Sequence, residues 1–227
     1  MFTGLLGGSF NPAHGGHRRI TRFTIDALGL DEAWWLVSPG NPLKPKAGMA
    51  PLGARLRSAR QQARRAPIIP TAIESELRTR YTVDTLRALQ NRYKNRQFVW
   101  LMGSDNLAQF HRWKDWRTIA RTMPIAVIAR PGYTREAMTS PAMAWLRRYS
   151  VPLAAFRKQG RKRLGRAPAL VLLRFDPDHR SATAIRRGNA DWADTFDQSS
   201  SAGPKSQLRD RLTFRHIEEP PLKDVCA

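Results

Sequence analysis

The sequence predicts an α/β fold, a doubly wound (Rossmann-like) parallel sheet with helices on both faces, and three observations carry that prediction. Short apolar runs alternate with amphipathic segments from Phe2 to Ala129. The runs have strand length and the segments between them helix length, the rhythm of consecutive βαβ units. The first run also ends in a glycine-rich turn, Gly7-Gly8-Ser9-Phe10-Asn11-Pro12-Ala13-His14-Gly15-Gly16-His17, that leads straight into a helix.

The first strand is Phe2 to Leu6, and Arg18 to Leu28 spaces Ile20, Phe23, Ile25 and Leu28 along one helical face. Glu32 to Ser38 is the second strand, and the loop to Pro51 that follows is rich in Pro and Gly and carries Lys44 and Lys46. A basic amphipathic helix spans Leu52 to Arg65. Ile68 to Ile73 is the third strand, with Pro70 predicting an edge position. Thr82 is expected to cap a helix running to about Tyr93, with Thr85 at its third position. Phe98 to Met102 and Ile125 to Ala129 are the next strands. Met138 to Tyr149 reads as a helix and Ala169 to Phe175 as the last strand. One α/β domain over residues 1–188 is expected, with a basic variable segment at about 133–168. A partly flexible extension, 189–227, follows, with a short final helix over Gln207 to Ile217.

A chain of 227 residues can bury a substantial single core. No apolar run approaches the roughly 18 to 20 residues that cross a bilayer, and the N-terminus has no signal-peptide pattern. The lone cysteine, Cys226, excludes an internal disulfide and a cysteine metal cluster, consistent with a cytoplasmic protein. The net charge of +21 would attract any polyanion. It cannot by itself choose among nucleic acid, anionic membrane and small polyphosphates, and arginine-rich composition also follows from a genome rich in G and C.

The glycine turn suits phosphate. Gly7 and Gly8 permit unusual backbone angles and close approaches, and the helix after them offers unpaired N–H groups and a positive dipole end. His14 and His17, three apart, can project to one side if the helix begins near His14. The spacing matches neither the dinucleotide fingerprint nor the Gly-Lys-Ser/Thr loop. A second candidate stands after the last strand: Ser181 is a good N-cap, Thr183 and Arg186 follow it, and Gly188 ends the turn. Hydroxyls, amides and a guanidinium fork there suit polyphosphate oxygens. Each stretch alone also reads as an ordinary capped helix; the pair, in this order, points to nucleotide chemistry.

The first stretch resembles the nucleotidyltransferase signature Gly-x-Phe-Asp/Asn-Pro-x-His-x-Gly-His. The second resembles the same family's Ile-Ser-Ser-Thr-x-Ile-Arg, with Ser181, Thr183, Ile185 and Arg186 matching and Arg180 and Ala182 departing. Asn11 stands where the family often has Asp. Thr79-Arg80-Tyr81-Thr82, Gly103-Ser104-Asp105-Asn106 and Trp113 make the chain similar to the bacterial nicotinate-nucleotide adenylyltransferases in particular. That resemblance implies reaction of ATP with nicotinate mononucleotide to give deamido-NAD and pyrophosphate. By the same resemblance His14, His17 and Arg186 are the catalytic residues. Gly8, Ser9, Phe10, Gly103, Asp105, Ser181, Thr183 and Ile185 join them around ATP, and Lys44, Tyr81, Thr82 and Trp113 hold the mononucleotide. Trp113 would stack on the pyridinium ring, although Phe110 and Trp116 lie close enough in sequence for any of the three to be core. Asp105 could instead cap the helix after it.

No dedicated protein metal site is expected, and Mg²⁺ would bridge the phosphates. Transfer to nicotinamide mononucleotide or pantetheine phosphate is the alternative within the class. A non-enzymatic basic RNA- or polyanion-binding protein, supported by the run Arg157 to Arg166, is the alternative outside it. Nucleic acid is not expected as the primary partner, since no RNA-binding signature is present.

Overall fold

Six strands form one sheet in the order β3-β2-β1-β4-β5-β6. They are β1 Phe2–Gly8, β2 Glu32–Val37, β3 Ile68–Thr71, β4 Gln97–Gly103, β5 Ile125–Ile128 and β6 Leu170–Leu173. β1 pairs in parallel with β4, β4 with β5 and β5 with β6. The order is that of a doubly wound sheet, reversing between β1 and β4, and β3 with its Pro70 is an edge strand as expected. The computed structural model describes residues 1–40, 48–129, 134–158, 167–175, 182–197 and 208–217. No helix among them is long and apolar enough to cross a membrane.

By internal contacts the chain divides into two units. The first comprises Met1–Leu6, Arg19–Ala33 and Tyr81–His179. Its core is the apolar middle of β4 with all of β5, buried on both faces as parallel strands are. Backbones pack closely there: a Cβ on Gly4 would stand 2.8 Å from both Leu101 Cδ1 and Leu30 Cδ1. Around these strands lie α4 (Thr82–Arg92), α5 (Ser104–Gln109), α6 (Trp116–Thr122), α7 (Thr134–Thr139), α8 (Pro141–Leu146) and α9 (Leu153–Lys158). The single helix expected over Met138 to Tyr149 is broken at Ser140-Pro141. Proline cannot continue a helix but suits its first turn, and the Ser140 hydroxyl accepts the Met143 N–H at 3.1 Å.

The second unit comprises Gly7–Arg18, Trp34–Arg80 and Arg180–Ala227. Trp34, Trp35, Leu36 and Val37 of β2 are buried in it. It holds α2 (Leu52–Gln62), α3 (Ile73–Leu77), α10 (Ala182–Gly188) and α11 (Asp194–Asp197), while α1 (Gly15–Leu28) begins in it and continues into the first unit. The helix expected at Gln207 to Ile217 is absent: residues 208–217 make a turn closed by an Arg209–His216 antiparallel bridge. The Asp210 carboxylate accepts the N–H groups of Leu212 and Thr213 at 2.8 and 3.4 Å. Such local side-chain bonds compete with helix formation, and Phe214 adopts a left-handed φ of 58°.

Candidate active site

The glycine turn of the second unit is built as an imidazole pair at a helix start. α1 begins at Gly15, so His14 sits just before its first residue and His17 in its first turn. Their rings lie 4.0 Å apart between centroids. The Nδ1 atom of His17 accepts the His14 N–H at 3.2 Å, and Nδ1 of His14 accepts the Gly16 N–H at 3.1 Å. Each neutral ring therefore carries its proton on Nε2, where it is a donor. His14 is 7% exposed and His17 half-buried. Phe10 packs against both His17 and Trp35, 5.0 Å from each. The left-handed residue of the turn is Phe10, at φ 47°, and neither Gly7 nor Gly8 is left-handed. At Gly8 the fit is close instead: a Cβ there would meet the Phe10 ring at 3.2 Å, a tight contact that the ring would have to ease.

Two groups that the sequence motifs leave out hold this turn. On α2, the Ser58 hydroxyl accepts the Ala13 N–H at 3.2 Å, and buried Arg55 donates to the Ser9 carbonyl at 2.8 Å. The signal for Arg55 was present: with Leu52, Leu56 and Ala59 it completes an i, i+3, i+4, i+7 stripe, a core position for a cation. Asn11, 5% exposed, donates through Nδ2 to the Gly48 carbonyl at 2.8 Å and accepts the Ala50 N–H at 3.2 Å. An amide supplies both a donor and an acceptor here, and an ionised Asp would supply only acceptors.

The second motif reaches the same turn. Arg186 on α10 donates through Nη1 to the Asn11 carbonyl at 2.5 Å and through Nη2 to Thr183 Oγ1 at 3.3 Å. His14 is three residues from Asn11, at most about 11 Å along an extended chain, so guanidinium and imidazoles serve one locale. Ile185 is half-buried and Thr183 exposed. Ser181 and Lys44 lie outside the described residues, as do 159–166 of the basic run.

The other expected site residues belong to the first unit. Tyr81 is the N-cap of α4 and Thr82 its first residue, with no side-chain capping bond. The expectation that Thr82 caps is therefore corrected: Thr85, one turn in and buried, returns its hydroxyl to the Tyr81 carbonyl at 3.3 Å. Lys114 places its ammonium 4.4 Å from the centre of the Tyr81 ring and 3.3 Å from Asp84 Oδ2. Of the three neighbouring aromatics, Phe110 and Trp116 are core and Trp113 is half-buried, edge-on to Phe110 at 5.3 Å and to Trp100 at 6.2 Å. Gly103 ends β4 and is the N-cap of α5, so Asp105 lies within the first turn and is not its cap.

Comparison with known proteins adds the family. A family model described as cytidylyltransferase-like matches residues 5–188. A protein of Erythrobacter litoralis, named probable nicotinate-nucleotide adenylyltransferase, is 64% identical, covering 96% of this chain and 97% of its own. One from Parvibaculum lavamentivorans with the same name is 54% identical over 81% of this chain and 90% of its own. Among solved structures, Plasmodium falciparum nicotinic acid mononucleotide adenylyltransferase complexed with NaAD has a TM-score of 0.59 at 14% identity, with 82% of each chain covered. At that identity it speaks for the α/β fold alone. Sheet order, family model and near full-length identity agree: the chain belongs to the cytidylyltransferase-like family and, within it, to the nicotinate-nucleotide adenylyltransferases.

Proposed function

We propose that this chain transfers the adenylyl group of ATP to nicotinate mononucleotide, giving deamido-NAD and pyrophosphate. The observation that carries the reading is the His14–His17 pair, each ring held through Nδ1, with Arg186 bonded to the same turn. An oxygen of the acceptor's 5′-phosphate bonds to the α-phosphorus of ATP. The bond from that phosphorus to the bridging oxygen breaks, and pyrophosphate leaves with the electron pair. The attacking phosphate is already anionic near neutral pH, so no strong general base is needed. The work is positioning, and neutralising charge where it develops.

We assign the Nε2–H groups of His14 and His17 to ATP phosphate oxygens. Two of the five N–H donors of Arg186 go to Asn11 and Thr183, and we assign the rest of the fork to phosphate as well. Gly8, Ser9, Phe10, Ser181, Thr183 and Ile185 complete the ATP assignment, with Gly103 and Asp105 on the ribose. Lys44, Tyr81 and Thr82 would bind the mononucleotide and Trp113 would stack on its ring, which the half-exposed position of Trp113 supports. The turn's donors are imidazole and amide N–H groups, which fit phosphate oxygens, and no three His, Cys, Asp or Glu side chains gather among the described residues. We assign Mg²⁺ to the Mg·ATP substrate, where it would offset phosphate charge. A cytoplasmic location goes with an ATP-consuming reaction of this kind.

The test is pyrophosphate release from ATP and Mg²⁺ with nicotinate mononucleotide, nicotinamide mononucleotide and pantetheine phosphate offered separately. Release with the first at least about tenfold faster than with the others is expected, since the wrong acceptor leaves polar groups of the site unpaired. Equal or faster release with either of the others overturns the assignment of acceptor. No release with any of the three overturns the reaction.

A further inference from the structure

Arg55 is 1% exposed, in a stripe of α2 whose other members are apolar core. Taking a guanidinium out of water is costly unless its donors are met. Among the described residues they meet four main-chain carbonyls. Nε donates to Ala50 O at 2.8 Å, Nη1 to Ser9 O at 2.8 Å and to Ser38 O at 2.7 Å, and Nη2 to Pro39 O at 3.4 Å. One buried side chain thus ties the turn after β1 to the end of β2 and to the residues just before α2.

The Ser9 carbonyl matters most. A trans peptide points the C=O of one residue and the N–H of the next in opposite directions. Arg55 draws Ser9 O toward α2 and so turns the Phe10 N–H the other way. The Ser38 N–H draws Gly8 O toward β2 at 3.0 Å and turns the Ser9 N–H likewise. The Ser9 amide donor is thereby directed away from β2 and the Phe10 amide donor away from α2, with Phe10 left-handed at φ 47°. Successive N–H groups held in this way form a concave anion site.

We propose that Arg55 is a positioning residue for phosphate binding and adenylyl transfer: through the Ser9 carbonyl it holds the Ser9 and Phe10 amides where phosphate oxygens are received. The inference rests on the adenylyl-transfer reading above. A side chain that only filled the core would affect how much protein is folded and not what each folded molecule does.

Arg55→Lys and Arg55→Met separate the two roles. Lysine keeps the charge but, with one donor centre, cannot span four carbonyls. Melting curves and near-UV circular dichroism give the folded fraction, and rates are expressed per folded molecule. The expected result for Arg55→Lys is a kcat at saturating substrates lower by about thirtyfold or more, with the KM for nicotinate mononucleotide within about threefold, because displaced donors cost most in the transition state. A kcat within about threefold of the parent, whatever the melting temperature does, overturns the proposal. If Arg55→Met does not fold, Arg55→Lys decides. Should the parent enzyme itself release no pyrophosphate, the functional reading fails separately. Arg55 is then judged by calorimetric binding of inorganic pyrophosphate, where about tenfold weaker binding by Arg55→Lys supports its role and equal binding overturns it.

Discussion

Each imidazole of the turn accepts a backbone N–H through Nδ1, which fixes how its ring is oriented. His17→Ala is therefore expected to do two things. Loss of one preorganised donor should lower kcat by about two orders of magnitude. Loss of the acceptor for the His14 N–H should also cost about 1 kcal/mol of stability. Turnover within a factor of two of the parent would remove His17 from the mechanism. Asn11 makes a second prediction at this scale. Asn11→Asp sets a carboxylate oxygen against the Gly48 carbonyl, acceptor facing acceptor, at a site 5% exposed. A loss of about 1–3 kcal/mol in denaturant unfolding is expected; an unchanged midpoint would show that the amide is not needed there. The sequence shows Asn11 where the family often has Asp, but its partner, a carbonyl 37 positions away, is a tertiary fact.

Short elements are where sequence and structure part. The strands were legible because parallel strands buried on both faces read as continuous apolar runs. α3 was not, because its start is held by a residue near the far end of the chain. Asp210, 4% exposed, accepts the Thr71 hydroxyl at 2.8 Å and the Ala72 N–H at 2.7 Å, as well as the two amides of its own turn. A helical pattern over Gln207 to Ile217 carries no trace of that partner. Asp210→Ala leaves these donors without the carboxylate and should lower unfolding stability by about 1–3 kcal/mol or more. Amide exchange should rise at Ala72 and Leu212 together. Faster exchange at Leu212 alone would mean that Asp210 shapes only its own turn.

At the scale of the molecule the net charge of +21 is a field, not a site. The Arg60 guanidinium shows how local effects differ from that field: burial first, then Arg211, hold it below the ordinary value, with Asp210 opposing. Charge of this kind is screened, whereas a built phosphate site loses less. From about 0.1 to about 0.5 M NaCl, filter binding of a generic polynucleotide should fall by orders of magnitude while ATP remains bound. Parallel loss of both would favour the polyanion-binding alternative.

From sequence alone came the α/β class, the parallel order of elements, the two phosphate motifs and the family resemblance. These rest on local periodicity and on turn chemistry, which act over a few residues and so leave a mark in the string. Only the tertiary structure decided which ring nitrogen of each histidine accepts a backbone N–H, which of three aromatics stays half-exposed, and which buried arginine grips the turn. Those outcomes depend on carbonyls and rings brought near by folding, and one-dimensional spacing does not encode that proximity.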